Sequence, residues 1–334
     1  MDQLQNQPST PSQRDVEIAK GIIDRVVSNV DTIIQGKHDV VKLVVMAMIA
    51  GGHVLLEDLP GTGKTTLVST LSKTLKCDFK RIQFTPDLMP TDVTGFTFYD
   101  QQVNEFRFMK GSVFGNLVLA DEINRASAKT QSALLEAMSE GQVTIDGDTY
   151  VLEQPFTVIA TQNPIEQFGT YPLPEAQLDR FMVKLSLGYP DFDQAVEVLK
   201  LGKNAKASVA AVSSKEEIMA LRALSEKVHV ADMVLRYIMQ IITATRDNAD
   251  ILVGSSIRGA ESLLALARVQ ALANGKGYVT PDEIKPLVPH VLHHRIILAH
   301  SAKSAGRDAD DVLASILSSI HVPHIEEGDL RGVK

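Results

Sequence analysis

The stretch from Val54 to Leu67 reads VLLEDLPGTGKTTL and decides the fold of the chain around it. A short apolar run ends abruptly, a loop with two glycines follows, and Lys64, Thr65 and Thr66 then open a segment with helical spacing. Glycines let consecutive backbone N–H groups turn inward, and the N-terminus of a helix adds partial positive charge. The order of strand, loop and helix therefore predicts a cradle for a polyphosphate.

The residues of this loop are expected to hold a nucleotide and its metal ion. Lys64 would reach the β- and γ-phosphates, and the hydroxyl of Thr65 would bind Mg²⁺. Asp58 stands where the strict pattern G-x-x-x-x-G-K-[ST] has its first glycine, and a chance glycine-rich turn is the competing interpretation. The predicted nucleotide contacts are Pro60, Gly61, Thr62, Gly63, Lys64, Thr65 and Thr66.

Composition narrows the class of protein. The 334 residues suit two domains, and 44% hydrophobic content lets both bury a core. No run of 18 apolar residues occurs, the N-terminus lacks the features of a signal peptide, and Cys77 is the single cysteine, so we expect a cytoplasmic protein without a membrane span. The net charge of −8 argues against nucleic acid as the main partner.

The order of apolar segments predicts an α/β domain followed by a helical one. Short apolar runs alternate with helical patterns up to about Pro190, which is typical of a parallel sheet covered on both faces. Beyond that point only helical patterns occur, including one predicted over residues 282–300. We therefore expect a flexible tail over residues 1–14, a nucleotide-binding domain over 15–190 and an all-α domain over 191–334.

Two insertions interrupt the alternation of strands and helices. Residues 92–114 carry alternating aromatic side chains around a polar turn, and residues 142–156 alternate on both sides of Asp146 and Gly147, an Asp-Gly hairpin signal. Both predict β-hairpins. The hairpins could face a partner or a pore, or they could only cover the edge of the core, and the sequence leaves both interpretations open.

Polar side chains follow two of the predicted strands directly. Asp121 and Glu122 end the run LVLA, so Asp121 would support Mg²⁺ and Glu122 would orient and polarise the attacking water. Asn163 ends the run FTVIAT, where its amide could bond the water and the γ-phosphate. An acidic strand end and a turn before Pro164 are the structural alternatives.

Two arginines and one short segment are further candidates for contact with the nucleotide. Arg180 precedes the last apolar run, from which it could reach the γ-phosphate of a neighbouring subunit or form a surface ion pair. Arg258 opens a long helical segment that could bring it onto the nucleotide. Ile34 and Gly36 are candidates for an adenine pocket, and core packing would explain them equally well.

The histidines allow a competing metal hypothesis. His290, His293 and His294 have helical spacing, with His300, His321 and His324 further along the chain, so a zinc site is conceivable. No cysteine joins this set, and half-buried polar packing is the alternative.

Taken together, these motifs resemble the MoxR family of AAA+ ATPases over essentially everything after the N-terminal tail. The strings that carry the resemblance are EDLPGTGKTTL, FTPDLMPTDVTG, LADEINRA, ATQNP, GTYPLPEAQLDRF and SIRGAESLL. The resemblance implies an AAA+ P-loop core with a five-stranded parallel sheet and β-hairpin insertions, a helical lid, and a ring, commonly a hexamer, with ATP and Mg²⁺ between subunits.

The resemblance also implies roles for individual residues. Lys64 and Thr65 match Walker A, Asp121 and Glu122 match Walker B, and Asn163 matches sensor 1. Arg180 matches the arginine finger, and Arg258 matches sensor 2, acting in its own subunit or in an adjacent one. Phe168 and His293 depart from the residues that family members often have there, and these departures leave contacts of the lid or interface open.

The resemblance implies partners as well. A separate von Willebrand A domain protein and client proteins are expected, since no such domain pattern occurs in this chain. The favoured hypothesis is an ATPase that remodels client proteins, assisting their maturation or metal insertion. A nucleic-acid motor and an ATP-binding switch without turnover are the alternatives.

Overall fold

The computed structural model describes residues 10–165, 169–201 and 209–323. Phe168 and His324 therefore lie outside the described residues, as does most of the predicted tail of residues 1–14. In the described part of the chain, no helix combines the length and the apolar character needed to cross a membrane.

The chain divides into two compact units. One unit is Arg25–Met219, and the other joins the residues up to Asp24 with those from Ala220 onward. This division keeps residues 191–219 with the first unit, so the expected boundary after residue 190 stays a prediction.

The first unit contains nine strands and eight α-helices of the described residues, two of these helices only in part. Its strands are β1 (Val54–Glu57), β2 (Phe79–Gln83), β3 (Gly95–Asp100), β4 (Glu105–Lys110), β5 (Leu117–Asp121), β6 (Gln142–Ile145), β7 (Asp148–Val151), β8 (Thr157–Gln162) and β9 (Val183–Leu185). Its helices are α1 (Gln13–Asp31), α2 (His38–Ile49), α3 (Lys64–Thr74), α4 (Pro90–Thr94), α5 (Ala128–Glu140), α6 (Glu175–Leu178), α7 (Phe192–Leu201) and α8 (Lys215–Glu226), of which α1 and α8 extend into the second unit.

Five strands form the central sheet in the order β2-β5-β8-β1-β9, and every neighbouring pair is parallel. All residues of β5 are buried, as are all of β8 except its last, because strands covered on both faces need apolar side chains on both sides. The predicted α/β fold with five parallel strands is confirmed. Since the strands are parallel, β1, β5 and β8 all end at the same edge of the sheet.

Both predicted hairpins are present. In the first, β3 and β4 pair antiparallel, with Tyr99 opposite Phe106. In the second, β6 and β7 are joined by Asp146 and Gly147, whose φ angles of 52° and 93° are those that a tight hairpin turn requires. The ring of Phe108 stacks on Tyr150 of β7 with centroids 3.9 Å apart, so the two hairpins contact each other.

The second unit is a helical lid with one small two-stranded addition. Strands β10 and β11 pair antiparallel, a feature that the prediction of an all-α domain did not contain. After α8, its elements are α9 (Asp232–Asp247), β10 (Ile251–Val253), α10 (Ile257–Ala273), α11 (Pro281–Ile284), α12 (Val288–Leu292), β11 (Ile297–Leu298), α13 (His300–Ser304) and α14 (Ala309–Ser319).

The single helix predicted over residues 282–300 is wrong. Short helical pieces replace it, because Pro286 and Pro289 lack the backbone N–H that a continuous helix needs. After these pieces, Ile297 and Leu298 leave the helical conformation and pair with β10.

Candidate functional site

The candidate site is a cavity of about 330 Å³ in the first unit. It lies where β1, β5 and β8 end, the edge at which open α/β sheets bind ligands. The residues that line it are Pro60, Gly61, Gly63, Lys64, Thr65, Thr66, Asp121, Glu122 and Asn163. The structure thus brings together residues predicted from three separate motifs.

The loop between β1 and α3 has the conformation that its glycines allow. Gly61 and Gly63 have φ angles of +86° and +95°, in the region that residues with a side chain rarely adopt. Gly63 is the residue from which α3 starts, so the N-terminal turn of that helix lines the cavity. Thr62 is not a lining residue; its hydroxyl donates to the carbonyl of Leu59 at 3.2 Å and closes the loop on itself.

The side chain of Lys64 folds back over the loop. Its Nζ donates to the carbonyl of Asp58 at 2.8 Å and to that of Leu59 at 3.2 Å. Both acceptors are neutral carbonyls, and hydrogen bonds to charged phosphate oxygens are stronger. Lys64 is therefore placed to exchange these partners for an anion in the cavity.

Asp121 is nearly buried and both of its carboxylate oxygens have partners. Oδ1 accepts a hydrogen bond from the hydroxyl of Thr161 at 2.7 Å, and Oδ2 accepts one from the guanidinium of Arg81 at 2.7 Å. Thr161 comes from β8 and Arg81 from β2, the two strands beside β5. The neighbouring strands thus fix the direction in which this carboxylate points.

Glu122 has a left-handed backbone conformation with a φ of 58°. Its N–H donates to the same Thr161 hydroxyl at 2.8 Å. Its Oε2 accepts from Nε2 of Gln83 at 2.8 Å and pairs with Nε of Arg125 at 3.2 Å. The carboxylate is thus held at the wall of the cavity by two partners that are themselves partly exposed.

Asn163 follows the last residue of β8 and lines the cavity with 8% of its surface exposed. Its Oδ1 accepts from the N–H of Ile165 at 3.2 Å. The side-chain amide therefore has a defined orientation close to the two carboxylates.

The two predicted arginines do not line the cavity. The guanidinium of Arg180 donates to the carbonyl of Leu135 at 2.9 Å and to the hydroxyl of Ser139, both on α5. Arg258 belongs to the second unit, where it lies in the first turn of α10 and its N–H donates to the capping hydroxyl of Ser256 at 3.1 Å. The roles predicted for both arginines stay predictions.

Ile34 and Gly36 do not line the cavity either. Ile34 is buried, and Gly36 has a φ of +68° with the side-chain amide of Gln194 packed against its Cα. A side chain at position 36 would collide with that amide, so close packing accounts for the glycine.

The cavity suits Mg²⁺, whereas the described histidines have no comparable ligand set. Mg²⁺ prefers oxygen ligands and takes few of them from protein when phosphates are present, and the hydroxyl of Thr65 and the carboxylate of Asp121 line the same cavity. Among the described residues, no group of three His, Cys, Asp or Glu side chains could hold a metal ion. His293 instead contacts Asp310, with Nδ1 2.8 Å from the carboxylate.

Sequence reasoning missed the residues that orient the two carboxylates. Gln83 ends β2 and Thr161 is next to the last residue of β8, so their positions at strand ends were a signal in the sequence, whereas Arg81 lies in the middle of β2. Their roles became visible only with the strand order, which places β2 and β8 on either side of β5. In the sequence Asp58 is only a departure from the loop pattern, whereas in the structure its carboxylate is buried and hydrogen-bonded to residues 186–188.

Two family models match the chain in separate regions. The model described as "ATPase family associated with various cellular activities (AAA)" matches residues 53–183, which include the whole cavity. The model described as "AAA lid domain" matches residues 243–316.

Individual proteins match over nearly the full length. The chain is 46% identical to the uncharacterized protein YeaC of Bacillus subtilis, over 90% of this chain and 95% of that protein. It is 37% identical to the chaperone MoxR1 of Mycobacterium tuberculosis, over 91% of this chain and 83% of that protein. The crystal structure of a candidate ATPase from Cytophaga hutchinsonii is 40% identical, covers 92% of this chain and 97% of its own, and superposes with a TM-score of 0.87.

Proposed function

The chain belongs to the MoxR family of AAA+ ATPases. From that premise we propose that it hydrolyses ATP with Mg²⁺ at the subunit interfaces of a ring, and that turnover drives the remodelling of client proteins. The observation that carries the proposal is the cavity in which Lys64, Thr65, Asp121, Glu122 and Asn163 meet.

Each residue of the cavity has its own proposed role in ATP hydrolysis. Lys64 would exchange its carbonyl partners for oxygens of the β- and γ-phosphates, while the backbone of the loop from Pro60 to Gly63 wraps the phosphates. Thr65 and Asp121 would hold Mg²⁺, which when bound supplies charge neutralisation at the phosphate oxygens. Glu122 would accept a hydrogen bond from the attacking water, and Asn163 would bond the water and the γ-phosphate.

The two partners of Glu122 weaken its action on water. In this structure its Oε2 is engaged by Gln83 and Arg125. Two donors on Oε2 draw negative charge from the carboxylate, so Oε1, its second accepting oxygen, polarises water less well than it would without them. We propose that release of these two partners is a step at which turnover is controlled.

The proposed ring assigns Arg180 to the ATP of a neighbouring subunit. Its guanidinium is bound to one carbonyl and one hydroxyl, which are neutral acceptors that a phosphate can outcompete. An arginine supplied in this way neutralises charge in the transition state. Arg258 is proposed to contact the nucleotide from the helical lid, in its own subunit or in an adjacent one.

Client proteins, including a separate von Willebrand A domain protein, are proposed to contact the hairpins. Phe96, Phe98, Tyr99 and Phe106 of the first hairpin are all at least 38% exposed, and Phe106 reaches 76%. Exposed apolar side chains that cluster in this way are typical of protein interaction sites. The name of the relative MoxR1, a chaperone, supports action on other proteins.

The test is steady-state ATPase activity over a range of protein concentrations. We expect specific activity to rise with concentration, and Glu122→Gln and Arg180→Ala each to lower kcat by about 10² or more while ATP binding persists. Glu136→Gln and Arg236→Ala, at exposed positions on α5 and α9, serve as matched controls that should keep wild-type activity.

Mixing the two inactive variants tests the ring directly. A subunit with Arg180→Ala keeps Glu122, and a subunit with Glu122→Gln keeps Arg180, so an interface between them contains one complete site. We expect the mixture to regain part of the wild-type activity. Activity that is independent of concentration, together with no recovery on mixing, would contradict the interface mechanism. ATP binding without turnover at every concentration would favour the switch.

A further inference from the structure

The carboxylate of Asp58 is a buried group that the proposed chemistry does not use. Asp58 follows β1, the position of the first glycine in the strict loop pattern, and is 4% exposed. Its Oδ1 accepts hydrogen bonds from the hydroxyl of Ser186 and from the N–H of Gly188, and its Oδ2 accepts from the N–H of Leu187, each at 2.8 Å. One side chain thus gathers three consecutive residues.

The three donors explain why a carboxylate stands at this position. An ionised carboxylate has two oxygens that only accept, so it can satisfy three converging donors at once. A glycine at position 58 would leave two backbone N–H groups and a hydroxyl without this acceptor, and buried donors are costly to leave unpaired. The departure from the loop pattern therefore has a structural reason.

The backbone of the same residue belongs to the phosphate loop. The N–H of Asp58 donates to the carbonyl of Gln162 on β8 at 3.1 Å, and its carbonyl accepts from Nζ of Lys64 at 2.8 Å. Asp58 therefore contacts the lysine of the cavity through its carbonyl and residues 186–188 through its side chain.

Residues 186–188 are the start of the segment that leads away from the sheet. They follow β9 directly, and Gly188 has a φ of +60°, so the chain turns there. The next carbonyl, that of Tyr189, accepts from Nζ of Lys37 at 3.0 Å. Movement of this turn would therefore change the hydrogen bonds of both Asp58 and Lys37, the residue before α2.

We propose that Asp58 is a positioning residue that couples the phosphate loop to residues 186–188, so that occupation of the loop by a nucleotide and the conformation of this turn depend on each other. The inference rests on the proposed function only in assuming that the loop binds nucleotide. When Lys64 exchanges the carbonyl of Asp58 for phosphate, the change reaches the turn through the three hydrogen bonds of the carboxylate.

The first test is the affinity for ADP, measured by calorimetric titration of the full chain. Asp58→Gly restores the strict loop pattern. If only that pattern mattered, the variant would bind ADP as tightly as wild type or more tightly. If Asp58 couples the loop to the turn, we expect ADP binding to be weakened by about tenfold or more. Asp58→Asn keeps one accepting oxygen and should weaken binding less. Ser186→Ala removes one donor and should weaken it by about twofold to threefold. Ser69→Ala on α3 is the control at wild-type affinity.

Ser186→Ala and Asp58→Asn keep the test decisive if Asp58→Gly fails to fold. If both variants bind ADP with an affinity within about 1.5-fold of wild type, the inference is wrong, because the free-energy change is then on the order of a small fraction of one hydrogen bond. Lys64→Ala separates the two proposals. If wild type binds ADP no better than Lys64→Ala does, the proposed nucleotide site is wrong, and so is this inference.

The second test distinguishes coupling from a merely structural tie. Hydrogen exchange of the amides of Leu187 and Gly188 is measured with and without saturating ADP. We expect ADP to slow their exchange in the wild type and to have a much smaller effect in Asp58→Asn at equal saturation. Wild-type exchange at these amides that is unchanged by ADP would overturn the coupling.

Discussion

Glu122 and Glu283 are two carboxylates of one chain, one in each compact unit, that the structure uses in different ways. Glu122 lies on a cavity, its side chain is 25% exposed, and its partners Gln83 and Arg125 are partly exposed as well. Glu283 is 1% exposed at the start of α11, where it accepts from Lys276 at 2.7 Å and from the N–H of Thr280 at 2.9 Å. Burial and the number of hydrogen-bond donors therefore distinguish a carboxylate that is available for chemistry from one that caps a helix.

The pKa of Glu283 reflects this difference. Burial alone would raise the pKa of this carboxyl, but hydrogen bonds from Lys276, Thr280 and Asn274 outweigh burial and hold the pKa below its usual value. The ionised form is therefore the one that the fold stabilises. Its reciprocal hydrogen bonds with Thr280 form a capping box, which is a structural role.

The largest expected effect is on turnover. Glu122→Gln should lower kcat by about 10² or more and leave the melting temperature within about 2 °C of wild type, because the side chain forms no part of the core. Calorimetric unfolding and ATPase assays on the same sample check this. A larger fall in melting temperature would show that Glu122 also stabilises the fold, and the contrast with Glu283 would no longer hold.

Glu283→Gln should give the opposite result. We expect a loss of about 2 kcal/mol of unfolding free energy, since hydrogen bonds to a buried charged group contribute this much, with unchanged turnover per folded molecule. Thermal unfolding of the full chain measures it. Asp282→Asn, at the exposed neighbouring position in the same helical turn, is the matched control and should cost less than about 0.5 kcal/mol.

The contribution of Glu283 should also depend on pH. Because its pKa is lower in the folded protein than in the unfolded chain, its stabilisation is complete above the ordinary value of 4.5 and is lost as the pH falls through the folded pKa. The stability difference between wild type and Glu283→Gln should therefore shrink from pH 7 towards pH 3. A difference that stays constant over this range would show that the charge of Glu283 does not matter.

The smallest expected effect concerns the partner of Glu122. Gln83→Ala removes one of the two donors that engage the carboxylate, so we expect kcat to rise by about threefold while Arg125 still holds the other contact. Lys80→Ala, on the opposite face of β2, is the control and should leave kcat unchanged. A fall in kcat would mean that Gln83 places Glu122 for catalysis and does not restrain it.

Much of the fold and of the candidate site could be predicted because the signals are local. The loop from Pro60 to Gly63, the carboxylates after LVLA and the Asp-Gly turn of the second hairpin all depend on a few adjacent residues. The helix predicted over residues 282–300 is wrong because Pro286 and Pro289 interrupt the backbone hydrogen bonds of a continuous helix, which apolar spacing does not reveal.

The sequence alone was enough to predict the order of strands and helices in the first unit, the phosphate loop and the polar side chains that end the buried strands, since each follows from patterns over a few residues. The contacts of those side chains, by contrast, depend on the tertiary structure. Thr161 and Gln83 reach the carboxylates because β8 and β2 flank β5, and the Asp58 carboxylate reaches residues 186–188 because β9 pairs with β1. Such contacts join residues about 40 to 130 positions apart, and short-range patterns carry no information about which distant strands become neighbours.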